Sequence, residues 1–393
     1  MEKMMKQGYK RREIRVGAVF LISLLLMGSI LVVRASGDDY SVENFYVDED
    51  TAWMHAHVYL TQFVADKTPG LEDWDGAQVE KKPVTLYDIH GKKLFYEFTV
   101  TKDGKAIGEI EIAASKMLGS SLCRVILSPT LNRETAAQKA IEVAEKEYPD
   151  YKIQSTKPVC YSYPKEGVMV TFAKPEAKEE KMVIIDVYLS LVVPLKEPEK
   201  EGELGAWSIY DKLSTEERAK GIEKWDSDAE FIADQLSTGI LDKGDRGSRG
   251  SKTLSVQLYA QQYSNYCAAA TGQMIAKYHG HTHSQSLVAT FIGLTPGGGG
   301  ASDTAQLNYY HYGISKYGSA SYSASFNGEK QEIDANRPLK SGITGHARCA
   351  RGYSESVLGD YTYINDPWPV NIGLVYWEWW GLGTHTTDIH VKD

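Results

Sequence analysis

The 393-residue sequence has only four cysteines, and none sits in a CxxC pair, so it encodes neither a disulfide framework nor a paired-cysteine zinc or redox site. Positive charge is also scarce: 43 Lys and Arg stand against 52 Asp and Glu, a net charge of -9. A phosphate backbone is held by a basic surface, so nucleic acid is excluded as a partner. The four glycines at 297–300 are not followed by Lys-Ser or Lys-Thr, which removes a phosphate loop and leaves a flexible cleft-edge loop as their reading. What remains is the composition of a folded chain, 42% hydrophobic and 24% charged, long enough for two domains of ordinary size.

The first residues set the expected compartment. Lys3, Lys6, Lys10, Arg11, Arg12 and Arg15 form a basic flank, and 16–33 is an uncharged run ending near the small residues Ala35, Ser36 and Gly37. The length of this run lies between that of a cleavable signal and that of a membrane span, so residues 1–36 fit a signal peptide cut after Ala35 or a retained anchor. Both place the remainder outside the cytoplasm, secreted or at the cell surface, and the second allows a membrane contact only through this segment.

Beyond it, TAWMHAHVYLTQFVAD (51–66) has helical spacing and is followed by strand-like runs, with Asp103-Gly104 marking a hairpin over 93–113. A second helix at 134–147 precedes VCYSY, GVMVTFA and MVIIDVYLSLVV. Helix then strands, twice over, predicts a duplicated α+β unit over 40–194. No nucleophile, base and orienting group converge within it, so a scaffold or inhibitory pro-segment is the expectation. Its layout resembles the small α+β modules of the PepSY and streptopain-propeptide kind. Residues 195–252 read as a linker with two short helices, at 215–224 and 228–235. The linker ends in the stretch from Lys243 to Lys252, which has no large apolar side chain and is expected to be exposed, mobile and open to processing.

The chemistry is concentrated in 253–393. Cys267 stands where a polar loop containing Asn265 meets the Ala-rich stretch Cys267-Ala-Ala-Ala, at or beside a helix N-terminus, where the dipole and free N–H groups favour a thiolate. Gln261 precedes it by six residues and is placed to complete an oxyanion hole with the Cys267 amide, with Gln262 as runner-up. Among ten histidines, His346 has the best context for a base: it follows Gly345 and opens the strand-like HARCARGY. The next strand, YTYINDPW, ends at Asp366, and antiparallel pairing brings that carboxylate toward His346. Cys123, Cys160 and Cys349 lie in apolar, strand-like runs and read as buried structural thiols, although export would permit a Cys123–Cys160 disulfide.

QxxxxxC before an Ala-rich helix, then GH opening a strand, then NDP, resembles the C39-like branch of the papain-like cysteine peptidases over about residues 253–393. Gln261, Cys267, His346 and Asp366 match its pattern one by one. The resemblance implies an α+β, papain-like domain in which a helical lobe bearing the cysteine faces an antiparallel sheet bearing His and Asp. Here that domain is preceded by a tandem α+β pro- or accessory domain. It implies peptide or protein substrates, cleaved through a Cys267 acyl-enzyme without a cofactor. The transporter parts of family members that trim double-glycine leaders are missing from this sequence, so leader processing is not implied.

Two other readings stay open: an amidase or transpeptidase acting on cell-wall peptides, and a surface-binding protein that no longer turns over. The former lacks its usual Asp-Cys-Ser nucleophile motif, and the retained polar quartet counts against the latter. His279, His281 and His283 form a run without a spaced acidic or cysteine partner and read as solvated loop. His311 has a poorer context, and His385 and His390 follow the NDP strand. Trp377, Trp379 and Trp380 read as core rather than groove lining.

Overall fold

The computed structural model describes residues 41–393 except 131, 175–178, 239–247, 357–358 and 383–384. The N-terminal hydrophobic run, the Ala35 cleavage point and residues 243–247 of the processing stretch lie outside the described residues. Among the described residues no helix is long and apolar enough to cross a membrane.

Helix α1 (Glu49–Ala65) begins at Asp48, whose carboxylate accepts the Thr51 amide, and buries Ala52, Ala56, Tyr59 and Phe63 at helical spacing. Strands β1 (Gln78–Val79), β2 (Val84–Tyr87), β3 (Lys93–Lys102), β4 (Lys105–Ala113) and β5 (Leu122–Ile126) follow. The β3–β4 turn is the expected Asp103-Gly104, with φ of 52° and 74°, the left-handed pair a two-residue hairpin needs. Helix α2 (Arg133–Glu147), capped by Asn132, then leads to β6 (Lys152–Ser162), β7 (Lys165–Lys174), β8 (Glu179–Asp186) and β9 (Leu191–Val193).

Two departures from the sequence reading fall in the stretch expected as a linker. After α3 (Ile209–Lys212), the two short helices are one, α4 (Thr215–Thr238). Nothing at Trp225 to Ser227 breaks it, and Ile222, Trp225, Ala229 and Ile232 form one apolar stripe packed into the core shared with α1. The stretch expected to be mobile also ends in a strand, β10 (Ser248–Thr253), antiparallel to β13, because backbone hydrogen bonding to an exposed sheet edge needs no apolar side chain.

The C-terminal part adds α5 (Cys267–Tyr278), α6 (Gln285–Phe291), α7 (Asp303–Asn308), β11 (Tyr317–Ser321) and α8 (Phe326–Asp334). It ends with β12 (Leu339–Ile343), β13 (His346–Ser356), β14 (Gly359–Asp366), β15 (Leu374–Trp379) and β16 (His385–Lys392). All the described strands join one sheet in the order β11-β16-β12-β13-β14-β15-β5-β4-β3-β2-β6-β7-β8-β9, with β1 on β3 and β10 on β13. The architecture is α+β, as expected. The two halves meet strand to strand at β15 and β5, where Trp377 faces Val125 and Glu378 faces Arg124. Trp377 is buried, stacked on Tyr363 at 4.5 Å, and donates its indole N–H to the Pro69 carbonyl, which fits its reading as core. All four cysteines are free and buried, so Cys123 and Cys160 form no disulfide.

His55 on α1 is 3% exposed and stacks on Trp225 of α4 at 4.9 Å. Burial pushes its pKa down to about 4. An unfolded histidine takes a proton near pH 6.5, so the unfolded state binds more protons between about 6.5 and 4 and stability falls as pH drops through that window. Urea unfolding of the full chain should show a loss of about 3 kcal/mol from this group between pH 7 and 4. His55→Phe should shrink that loss; an unchanged pH slope in the variant would show that His55 does not carry it.

Candidate active site

Cys267 is the first residue of α5, a helix that has no side-chain cap at its N-terminus, so the Cys267 amide belongs to the first turn, whose donors find no partner within the helix. Ala268, Ala269 and Ala270 are buried, and the Thr271 hydroxyl donates to the Ala347 carbonyl at 3.3 Å, seating α5 against β13. The small side chains expected beneath the sulfur are what allow this approach.

Gly345, at φ 72°, turns the chain into β13, which opens with His346. β13 and β14 pair antiparallel with Cys349 opposite Asn365, which sets the end of β14 beside the start of β13. There His346 Nε2 meets Asp366 Oδ1 at 2.7 Å. Asp366 also accepts the Trp368 amide at 2.8 Å and, through Oδ2, the Tyr376 hydroxyl at 2.8 Å. His346 Nδ1 is buried and has no partner among the described residues. The backbone amide of Ala347, the residue after His346, is among the groups that favour the Cys267 thiolate against burial. The structure thus joins His346 to Asp366 and seats the helix that opens with Cys267 against the strand that opens with His346.

Burial dominates the electrostatics, since Cys267 and His346 are both 0% exposed. It pushes the Cys267 thiol up to about 11, against the opposing charge of Lys165 and the amides of Ala347 and Ala268. The sequence led us to expect a thiol lowered by a helix terminus; here burial outweighs that and raises it. Burial also lowers the His346 pKa, more strongly than Asp366 raises it. For Asp366 burial pulls upward, but the charge and hydrogen bond of His346, the charge of Arg348 and the Trp368 amide together hold the carboxyl below its usual range. The resting trio is a neutral thiol, a neutral imidazole and a carboxylate.

Gln261 lies in the loop before α5, with its backbone held by Pro367 and Asn371. Its amide nitrogen donates to the Tyr263 and Ser264 carbonyls at 2.8 and 2.9 Å, so both of its hydrogens are committed there. Gln262 is exposed, and its backbone amide donates to Gln285 Oε1 at 2.7 Å. The 297–300 loop is fastened rather than free: the Asn265 amide donates to the Thr295, Gly298 and Gly299 carbonyls and Asn265 Oδ1 accepts the Gly297 amide. In the histidine run, His283 pairs with the Tyr309 hydroxyl at 3.0 Å.

The sequence reading missed what covers the site. Lys165, at the tip of the β6–β7 hairpin, is 2% exposed, sits 5.4 Å from the Trp368 ring centre and is close enough to Cys267 for each to shift the other's pKa. The segment 196–206 acts as a strap fastened to two loops of the C-terminal part: the Gly202 amide donates to the Gly345 carbonyl at 3.0 Å, and Glu201 forms an antiparallel bridge with Ala301. A Cβ at 202 would come within 2.5 Å of the Asn265 carbonyl oxygen, so only glycine fits. Glu201 is salt-bridged to buried Lys340 and accepts the Gln306 amide at 2.8 Å. The signal for this was the Glu-Gly step in the charged run 195–204, read as solvated.

Residues 253–379 match the model of the Peptidase_C39 like family. Among solved structures, the chain is similar to the peptidase domain of Streptococcus ComA, a bifunctional ABC transporter involved in a quorum-sensing pathway. That match has 14% identity and a TM-score of 0.26 over 35% of this chain and 99% of that one. It is also similar to a fragment of Prevotella intermedia prointerpain A, at 12% identity and a TM-score of 0.38 over 80% of this chain and 98% of that one. Comparison with curated proteins gives no match.

With its thiol raised to about 11 and buried, Cys267 in the intact full chain should be alkylated slowly by iodoacetamide at pH 7, and faster as pH approaches 11. Peptide mapping distinguishes it from the other three cysteines. A midpoint near or below pH 8 would contradict the closed geometry.

Proposed function

We propose that the cysteine peptidase carried by 253–393 works through Cys267 as nucleophile, His346 as base and Asp366 as orienter, and that it is an exported precursor held closed by the preceding residues. The coarse activity rests on the family match over 253–379. The assignment of roles rests on one observation: the 2.7 Å bond to Asp366 occupies His346 Nε2 and leaves Nδ1, buried and unpartnered among the described residues, as the basic nitrogen.

In that reading, Nδ1 takes the thiol proton as Cys267 Sγ attacks the scissile carbonyl carbon. Asp366 meanwhile stabilises the imidazolium and fixes its tautomer. The tetrahedral oxyanion accepts a hydrogen bond from the Cys267 amide at the start of α5. Gln261 adds a second donor only after it releases the Tyr263 and Ser264 carbonyls. Collapse expels the amine, which leaves with the proton from His346, and water then hydrolyses the thioester with the same imidazole as base. Export follows from the basic flank and apolar run before residue 36.

The precursor reading is supported by Lys165 and the 196–206 strap. Gly202 and Glu201 occupy backbone groups of Gly345 and Ala301, and in this reading an extended substrate would pair with the same groups. Substrate and strap cannot both be in place.

The full chain and its Cys267→Ala form, incubated with casein, test the activity. The parent should trim itself and degrade casein, the alanine form should do neither, and His346→Ala should lose about 10²- to 10⁴-fold. Equal hydrolysis by parent and Cys267→Ala would remove the nucleophile assignment. Gly202→Val separately tests the strap: forcing a side chain into the Asn265 carbonyl should speed alkylation of Cys267 several-fold at pH 7. An unchanged rate would mean that the strap does not guard the thiol.

A further inference from the structure

A second group of reactive side chains lies away from the thiol. Glu329 on α8, with His385 and Asp388 on β16, places one ligand atom from each residue within 4.8 Å of the others. Asp388 is 1% exposed, and neither of its oxygens has a hydrogen-bond partner among the described residues. Its strand neighbour Ser341 donates instead to Glu329 Oε1 at 2.9 Å, and Thr362 donates to Glu329 Oε2 at 3.0 Å. His385 Nε2 meets the Trp380 carbonyl at 3.0 Å, and since a carbonyl only accepts, the proton is on Nε2 and Nδ1 is a bare lone pair. Nδ1 is buried and unpartnered as well.

Three ligand atoms thus converge; burial, and then the charge of Glu329, push the Asp388 carboxyl up to about 8, so that without a cation it carries the proton itself. The nearby cations act on Asp388 through their charge but form no ion pair with it: Lys340 is held by Glu201, Asp303 and the Thr387 carbonyl, while Arg348 gives Nη1 to Glu378 and Tyr376 and keeps Nε and Nη2 unpartnered among the described residues. A buried carboxylate without a donor is costly, and a cation answers that cost.

We propose that Glu329, His385 and Asp388 bind one divalent first-row transition ion such as Zn²⁺ or Mn²⁺. Two carboxylate oxygens and one imidazole nitrogen suit these ions better than Mg²⁺ or Ca²⁺, which favour oxygen alone. The Trp380 carbonyl on Nε2 and the Ser341 and Thr362 hydroxyls on Glu329 are the outer contacts that orient such ligands. The Trp380 ring stacks on the imidazole at 4.4 Å and further fixes its plane. Its role is a brace: it ties α8 to β16, and β16 pairs with β12, where Ile343 faces His385 on one side and His346 on the other. The proposal is independent of the peptidase reading.

Cobalt is the probe. The full chain carrying Cys267→Ala, so that the thiol cannot bind, is stripped with chelator and titrated with Co²⁺. One equivalent should bind, with the visible bands of an oxygen and nitrogen site, no thiolate band and a raised thermal midpoint. Asp388→Asn and His385→Gln should each weaken binding at least about 100-fold. Should either fail to fold, Glu329→Gln keeps the side-chain volume and serves in its place. Absence of stoichiometric binding, or binding unchanged in the variants because the ion sits at His279–His283, would overturn the assignment.

Discussion

The pairing of β15 with β5 is the constraint on which the rest of the molecule depends. Through it two α+β halves become one sheet, and an edge strand of the C-terminal half is covered. The seam is fastened by buried charge. Glu378 accepts from Arg348 and from Tyr163 of the first half, both at 2.6 Å, while Arg124 is clamped to Glu111 and reaches Glu166. Removing one partner from such a buried pair leaves an unpaired charge and costs about 3–5 kcal/mol. The halves therefore meet in a set geometry, which is why the β6–β7 tip and the strap arrive at the thiol.

That geometry decides the state of the Cys267 thiol. A helix N-terminus stabilises an anion by about 0.3–1 kcal/mol, and up to ~2 in favourable partly buried sites. Raising the thiol to about 11 corresponds to roughly 3 kcal/mol against the thiolate. Burial wins, even with Lys165 pulling the other way. The same residues seen without their cover would have a different balance, because the solvation lost to the cover would be returned.

What was legible in the sequence was local. Asp103-Gly104 marked the hairpin, the Ala-rich run after Cys267 marked α5, and Gly345-His346 and Asp366 marked neighbouring strand ends that antiparallel pairing then joined. The α+β character and the pairing of His346 with Asp366 followed from such signals. Long-range contacts left none. Nothing in Tyr-Pro-Lys165 announces a lysine beside a thiol, and a charged stretch such as 195–204 has the composition of a solvated linker until Lys340 and Gln306 are known to receive Glu201. His385 was passed over as a base on chain order, an argument that did not ask what else an imidazole beside Asp388 does.

The strap also shows why covering a cleft and binding in it are one physical problem. Glu201 is a buried carboxylate whose pKa burial raises, and Lys340 is a buried ammonium; each is tolerable only because the other is there. Lifting the strap leaves Lys340 with Asp303 as its one remaining charged partner beside the Thr387 carbonyl, so water or an incoming acidic or polar group must take the place of Glu201. The two backbone contacts at Gly345 and Ala301 have no such demand, since water or any extended chain satisfies them. The hold of the strap therefore lies in the Glu201–Lys340 pair, and its fit lies in Gly202.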